Sequence, residues 1–92
     1  MNAFLMLGKY STEAVKGVSS ERTRKAVELI QDSGGRVNSI HILLGSYDLA
    51  VMAEFPGVKE ALNTSIALTR MTDISFTTLP AVGAEEFDRL IQ

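Results

Sequence analysis

The chain has 92 residues, 46% of them apolar and 22% charged, and a formal net charge of -2. That length builds one small domain over residues 1–92, and the slightly acidic balance argues against non-specific nucleic-acid binding, which needs concentrated Lys and Arg. The absence of cysteine excludes disulfides, thiolate nucleophiles and zinc–sulfur sites.

Ala3 to Gly8 is a continuous apolar run, closed by Gly8-Lys9-Tyr10-Ser11, and predicts a first strand buried on both faces. The run from Ala3 to Leu7 lacks a basic lead and is too short for a signal peptide or a membrane span. A cytoplasmic protein with no membrane partner is therefore the expectation. Ser11 can cap a short helical turn that stalls near Gly17. Ser19 or Ser20 can cap a longer helix to about Asp32, with Ala26, Val27 and Ile30 at helical spacing. Arg22, Arg24 and Lys25 cluster on it beside Glu21 and Glu28. Glu21 to Lys25 and Arg24 to Glu28 are i,i+4 pairs, so this reads as a solvated face. Ser33-Gly34-Gly35 ends the helix, with glycine available for the left-handed position after it.

Val37 to Leu44 and Leu49 to Phe55 are two strand-like runs joined through Gly45-Ser46-Tyr47-Asp48. A Gly-Ser centre predicts a two-residue type II′ hairpin turn. In that register Leu44 faces Tyr47, Leu43 faces Asp48 and His41 faces Ala50. One face then carries Ile40, Ile42, Leu44, Tyr47, Leu49, Val51, Ala53 and Phe55, and is expected to lie under the helices. The other carries Ser39, His41, Leu43, Asp48, Ala50, Met52 and Glu54. Pro56-Gly57 stops the second of these strands. Val58, Ala61, Leu62, Ser65 and Leu68 then form a helical stripe. Asp73 to Leu79 predicts the last strand, ended by Pro80, and a short terminal helix follows within residues 83–92.

The order β-α-β-β-α-β is the ferredoxin-like plan of an α+β domain. Right-handed crossovers give it an antiparallel sheet in the order 4-1-3-2. On the helix-free face the central strands contribute Ala50, Met52 and either Phe4 with Met6 or Leu5 with Leu7. The outer strands contribute Ser39 and His41, with Ser75 and Thr77 opposite. An apolar strip between polar edges suits a partner, and the simplest partner is a second copy of the chain.

Gly45-Ser46-Tyr47-Asp48 followed by Leu49-Ala50-Val51-Met52 resembles the signature of the GYD-domain proteins, small members of the dimeric α+β barrel superfamily. The resemblance extends to Lys9-Tyr10-Ser11, Ser20-Glu21-Arg22, Gly34-Gly35-Arg36-Val37, Glu54-Phe55-Pro56 and Thr77-Thr78-Leu79, and so covers nearly the whole chain. Ser20 stands where the family pattern has a proline, and His41 where it often has an aromatic residue. The resemblance implies a ferredoxin-like fold that dimerises through its sheets. The wider superfamily includes cofactor-free monooxygenases, small-molecule isomerases, haem proteins and ligand-sensing modules, so fold alone selects no reaction.

His41 is the only histidine and the group whose ordinary titration lies nearest neutrality. Asp48 is its diagonal neighbour on the expected hairpin face, about 7–8 Å away at the Cα level. Together they form the candidate catalytic pair, a general base with its orienting acid. The structural alternatives are a half-exposed outer-strand histidine, and a carboxylate that accepts backbone N–H groups at the turn. Tyr10, Tyr47 and Glu54 are the candidate ligand-binding residues. Their alternatives are a loop anchor, a packed ring with a bonded hydroxyl, and an ion pair with Lys or Arg at a sheet edge. One histidine and scattered carboxylates give no metal-ligand spacing, and Gly34-Gly35 follows a helix instead of opening one, so no metal, phosphate loop or cofactor is expected. Two functions fit: a homo-oligomeric module binding a small apolar or aromatic ligand, and a cofactor-independent monooxygenase or isomerase with His41 as base.

Overall fold

The computed structural model describes residues 1–92. Strand β1 (Asn2–Tyr10) leads through a five-residue helix α1 (Thr12–Lys16) into α2 (Ser20–Asp32). Strands β2 (Arg36–Ile42) and β3 (Leu49–Phe55) follow, then α3 (Val58–Thr72), β4 (Ile74–Ala81) and α4 (Ala84–Leu90). All ladders are antiparallel, and the sheet order is β2-β3-β1-β4, which read from the other edge is 4-1-3-2. The α+β, ferredoxin-like architecture stands.

Local chemistry explains the helix limits. Ser11 Oγ accepts the Ala14 N–H at 3.0 Å to start α1, and Ser19 Oγ accepts the Arg22 N–H at 3.0 Å to start α2. Each satisfies one of the amide donors that a helix start leaves without a partner. At the other end of α2, the Gly34 N–H reaches Gln31 O and the Gly35 N–H reaches Ile30 O, both at 3.0 Å. Gly34 takes φ 86°, so the pair forms the six-residue stop that left-handed glycine permits. Asp73 ends α3 in the same region, at φ 61°.

The core lies between the sheet and α2 and α3. Phe4 and Met6 of β1 meet Leu49, Val51, Ala53 and Phe55 of β3, under Ile30, Ala61 and Leu68 from the helices. The Phe4 and Phe55 rings pack edge to face, with centroids 5.8 Å apart. Leu5 and Leu7 point to the opposite face, so β1 is fully buried on one side only.

Four expectations need correction. Gly8 does not end the first strand. It sits within β1, opposite Leu49 and Phe76, where a Cβ would lie 2.9 Å from Ile74 Cγ2. Pro80 does not end β4 either. It pairs with Phe4 inside the ladder, on an edge strand where a missing N–H costs nothing.

The hairpin turn is wider than two residues. The last ladder pair is Ile42 with Leu49, followed by the Leu43 N–H donating to Asp48 O at 2.8 Å. Leu44 and Tyr47 do not pair, and Gly45 takes φ 151° instead of the roughly +60° of a type II′ first position. The expected inward face therefore fails at its tip. Leu44 is fully solvent-exposed and Ile42 is 72% exposed, because the connection projects past the helices. Finally, β2 carries a bulge at Asn38, between the Val37–Ala53 and Ser39–Met52 pairs. One extra residue reverses the alternation, so Val37 and Ile40 both pack on the core while Ser39 and His41 face away.

Candidate functional site

The side chains singled out in the sequence fall into two regions, one on each side of the sheet. On the helix-free face, His41 stands opposite Ala50 on the outer strand β2 and is exposed. No side-chain hydrogen bond reaches it. Asp48 does not orient it. The Asp48 carboxylate Oδ2 accepts the Tyr10 backbone N–H at 2.8 Å, while its own N–H donates to Gly8 O at 2.9 Å. Its carbonyl closes the hairpin on Leu43. One residue thus ties the 43–48 connection to β1 at two points. The sequence places such a carboxylate inside the hairpin, whereas the structure uses it to reach across to β1.

Lys9 supports the same connection, donating from Nζ to Ser46 O at 3.2 Å. Tyr47 is half-buried beyond the end of the ladder and makes no side-chain hydrogen bond. Glu54 pairs across the ladder with Arg36, whose Nη2 and Nε lie 2.6 and 3.1 Å from Oε2. These donors, with the side chain of the bulged Asn38 adding to them, hold the Glu54 carboxyl below its ordinary value of 4.5. The carboxylate is thereby engaged within the sheet. No group of three or more His, Asp or Glu side chains converges to hold a metal ion.

The second region lies on the helix side, in a cleft between α2, α3 and the sheet. Ala26, Val27 and Ile30 from α2 face Ile40, Leu49 and Val51 across it. Of its 14 lining residues, 11 are hydrophobic, and the cavity measures about 70 Å³. Tyr10, Arg22 and the exposed Ile42 mark its mouth. Of the sequence candidates, only Tyr10 takes part.

Arg22 is the residue that sequence reasoning missed. It reads as a member of a solvated basic face, and Arg24 and Lys25 do behave so: Arg24 pairs with Glu28 and Glu21, and Lys25 with Glu21. Arg22 turns the other way. Its guanidinium carbon stands 5.5 Å from the centre of the Tyr10 ring, and Nη1 donates to the Ala14 carbonyl at the end of α1. It has no carboxylate partner. The available signal is its place three residues after the Ser19 cap, on the face that continues through Ala26 and Ile30.

A larger open groove of about 520 Å³ runs between α3 and β4, lined by Leu62, Ile66, Phe76 and Pro80 among others. Phe87 and Leu90 of α4, and Ile91 just after it, are exposed. No helix is long and apolar enough to cross a membrane. No curated protein matches the chain. The family model for the GYD domain matches residues 4–91, nearly the whole length and all four strands, and the chain belongs to the GYD-domain family.

Proposed function

We propose that this protein works as a homodimeric module that pairs through the helix-free faces of its sheets and holds a small apolar or aromatic molecule in the cleft beneath α2. The observation that carries the reading is the composition of that sheet face. Leu5, Leu7, Ala50, Met52 and Leu79 form an apolar strip along β1 and its two neighbours, by the ladder register. Ser39 and His41 flank it on one side, Ser75 and Thr77 on the other. An apolar centre with a polar rim is the anatomy of a recognition surface. A sheet face is self-complementary under a two-fold axis, and two-fold dimers are the commonest homo-oligomers.

Pairing by the sheets leaves the helix layer, and with it the α2 cleft, on the outside of the assembly. The cleft has the make-up of a small-ligand site, mostly apolar walls with a few polar groups. Nothing beside His41 supplies the orienting acid or the enclosed setting that a general base needs. A binding module therefore fits the geometry better than a His41-dependent enzyme.

Light scattering on the eluting protein tests the pairing. The wild-type chain is expected at twice its 10.0 kDa mass, and Met52→Glu, which places a charge at the centre of the strip, at the single-chain mass. A monomeric wild type at all concentrations, or a Met52→Glu dimer as tight as the wild type, would overturn the reading.

A further inference from the structure

Arg22 is an uneconomical residue where it stands. It occupies the first turn of α2, the positive end of that helix dipole, where a cation is disfavoured. It is half-buried, and an arginine removed from water normally has an acid beside it. The guanidinium carries five N–H donors in a planar fork, and the chain supplies one acceptor for them, the Ala14 carbonyl. The Tyr10 ring holds the plane from the side. What remains is a preorganised, under-used donor set at the mouth of an apolar cavity.

We infer that Arg22 is the anion anchor of the α2 cleft, and that the molecule the cleft takes is a small carboxylic acid with an apolar tail. The inference deepens the ligand half of the proposed function and rests on it. A carboxylate matches the guanidinium fork with two parallel charge-assisted hydrogen bonds, which a neutral amide or alcohol does not. The tail enters between Ala26, Val27, Ile40 and Val51, which offer it no polar partner. The size of the cavity bounds the tail. At about 70 Å³ it is well below the ~300–1,000 Å³ of sites that enclose drug-sized ligands. A short aliphatic chain or one ring seated with its charged end at the mouth is the fitting class. The exposed Ile42 is the side chain at the mouth free to turn aside as it enters.

The test is an amide chemical-shift titration of the whole chain with benzoate and, separately, with the isosteric neutral benzamide. Benzoate is expected to shift Tyr10, Ala26, Val27 and Ile40 and to bind about tenfold more tightly than benzamide. Arg22→Gln should remove that preference, bringing benzoate down to the affinity of benzamide, and Arg22→Lys should retain part of it. Thermal melting of each variant checks that the fold survives. Equal binding of the two probes at the cleft overturns the anion anchor and leaves the apolar cleft standing. Shifts confined to other regions, or no shifts with either probe, overturn both.

Discussion

The Asp48 carboxylate accepts the backbone N–H of Tyr10 at 2.8 Å, joining the β2–β3 connection to the end of β1. The two residues lie 38 apart in sequence. A bond between a charged acceptor and a backbone amide contributes roughly 1.5–3 kcal/mol. Asp48→Ala removes it and leaves the Tyr10 amide short of a partner. His41, by contrast, is exposed and unbonded. Asp48→Ala should thus lower the melting temperature by several degrees at least, since 1 kcal/mol moves a domain of this size by about 4–8 °C. His41→Ala should stay within about 0.5 kcal/mol of wild type. Parallel thermal melts check the ranking, and a larger loss for His41→Ala would refute it.

Gly8 supports a second prediction. Leu49 and Phe76 approach its Cα from the neighbouring strands, with an added Cβ 3.2 Å from each and 2.9 Å from Ile74 Cγ2. All three neighbours are well packed, so none yields freely. Gly8→Ala should cost about 1–3 kcal/mol, the usual price of overpacking, even though alanine suits a strand better than glycine. Denaturant midpoints measure it. A stabilised Gly8→Ala variant would show that β1 and β4 can separate at this point.

Glu54 predicts a pH dependence. The Arg36 hydrogen bonds hold its folded-state titration below the ordinary 4.5, so the carboxylate contributes stability that is present above 4.5. That contribution is lost as pH falls through the depressed folded-state value. The stability difference between wild type and Glu54→Gln should therefore be constant from neutrality to about pH 5, then shrink on further acidification. High salt should reduce it too, because the Arg36 side chain is 66% exposed. Melts at pH 7, 5 and 3 check the sign, and a difference that grows in acid contradicts it.

Much of the fold was legible because its signals were local. Ser11 and Ser19 announced helix starts, Ser33-Gly34-Gly35 announced a stop, and the alternation from Leu49 to Phe55 identified the buried side of β3. What escaped depended on distant partners. Gly8 resembles a strand terminator until Ile74 and Phe76, more than sixty positions later, are known to close over it. Asn38 gives no warning of a bulge, since the extra residue is defined by its register against β3. The Gly45-Ser46 pair carried the residue types of a tight turn, but Asp48 and Lys9 hold that connection from outside the hairpin, and a wider loop results. The α2 cleft was hidden for the same reason. In sequence Arg22 differs from Arg24 only by its place on the Ala26–Ile30 face, and the end of α1 and the Tyr10 ring set its direction.

In the proposed dimer the Leu5, Leu7, Ala50, Met52 and Leu79 face meets its equivalent on a second copy. An isotope-filtered NOE experiment on a mixture of labelled and unlabelled chains reads that contact directly. Intermolecular NOEs are expected from the Met52 methyl to the methyls of Leu5, Leu7 and Leu79. Intermolecular NOEs confined to α3 or α4, or none at concentrations where the mass is doubled, would contradict it.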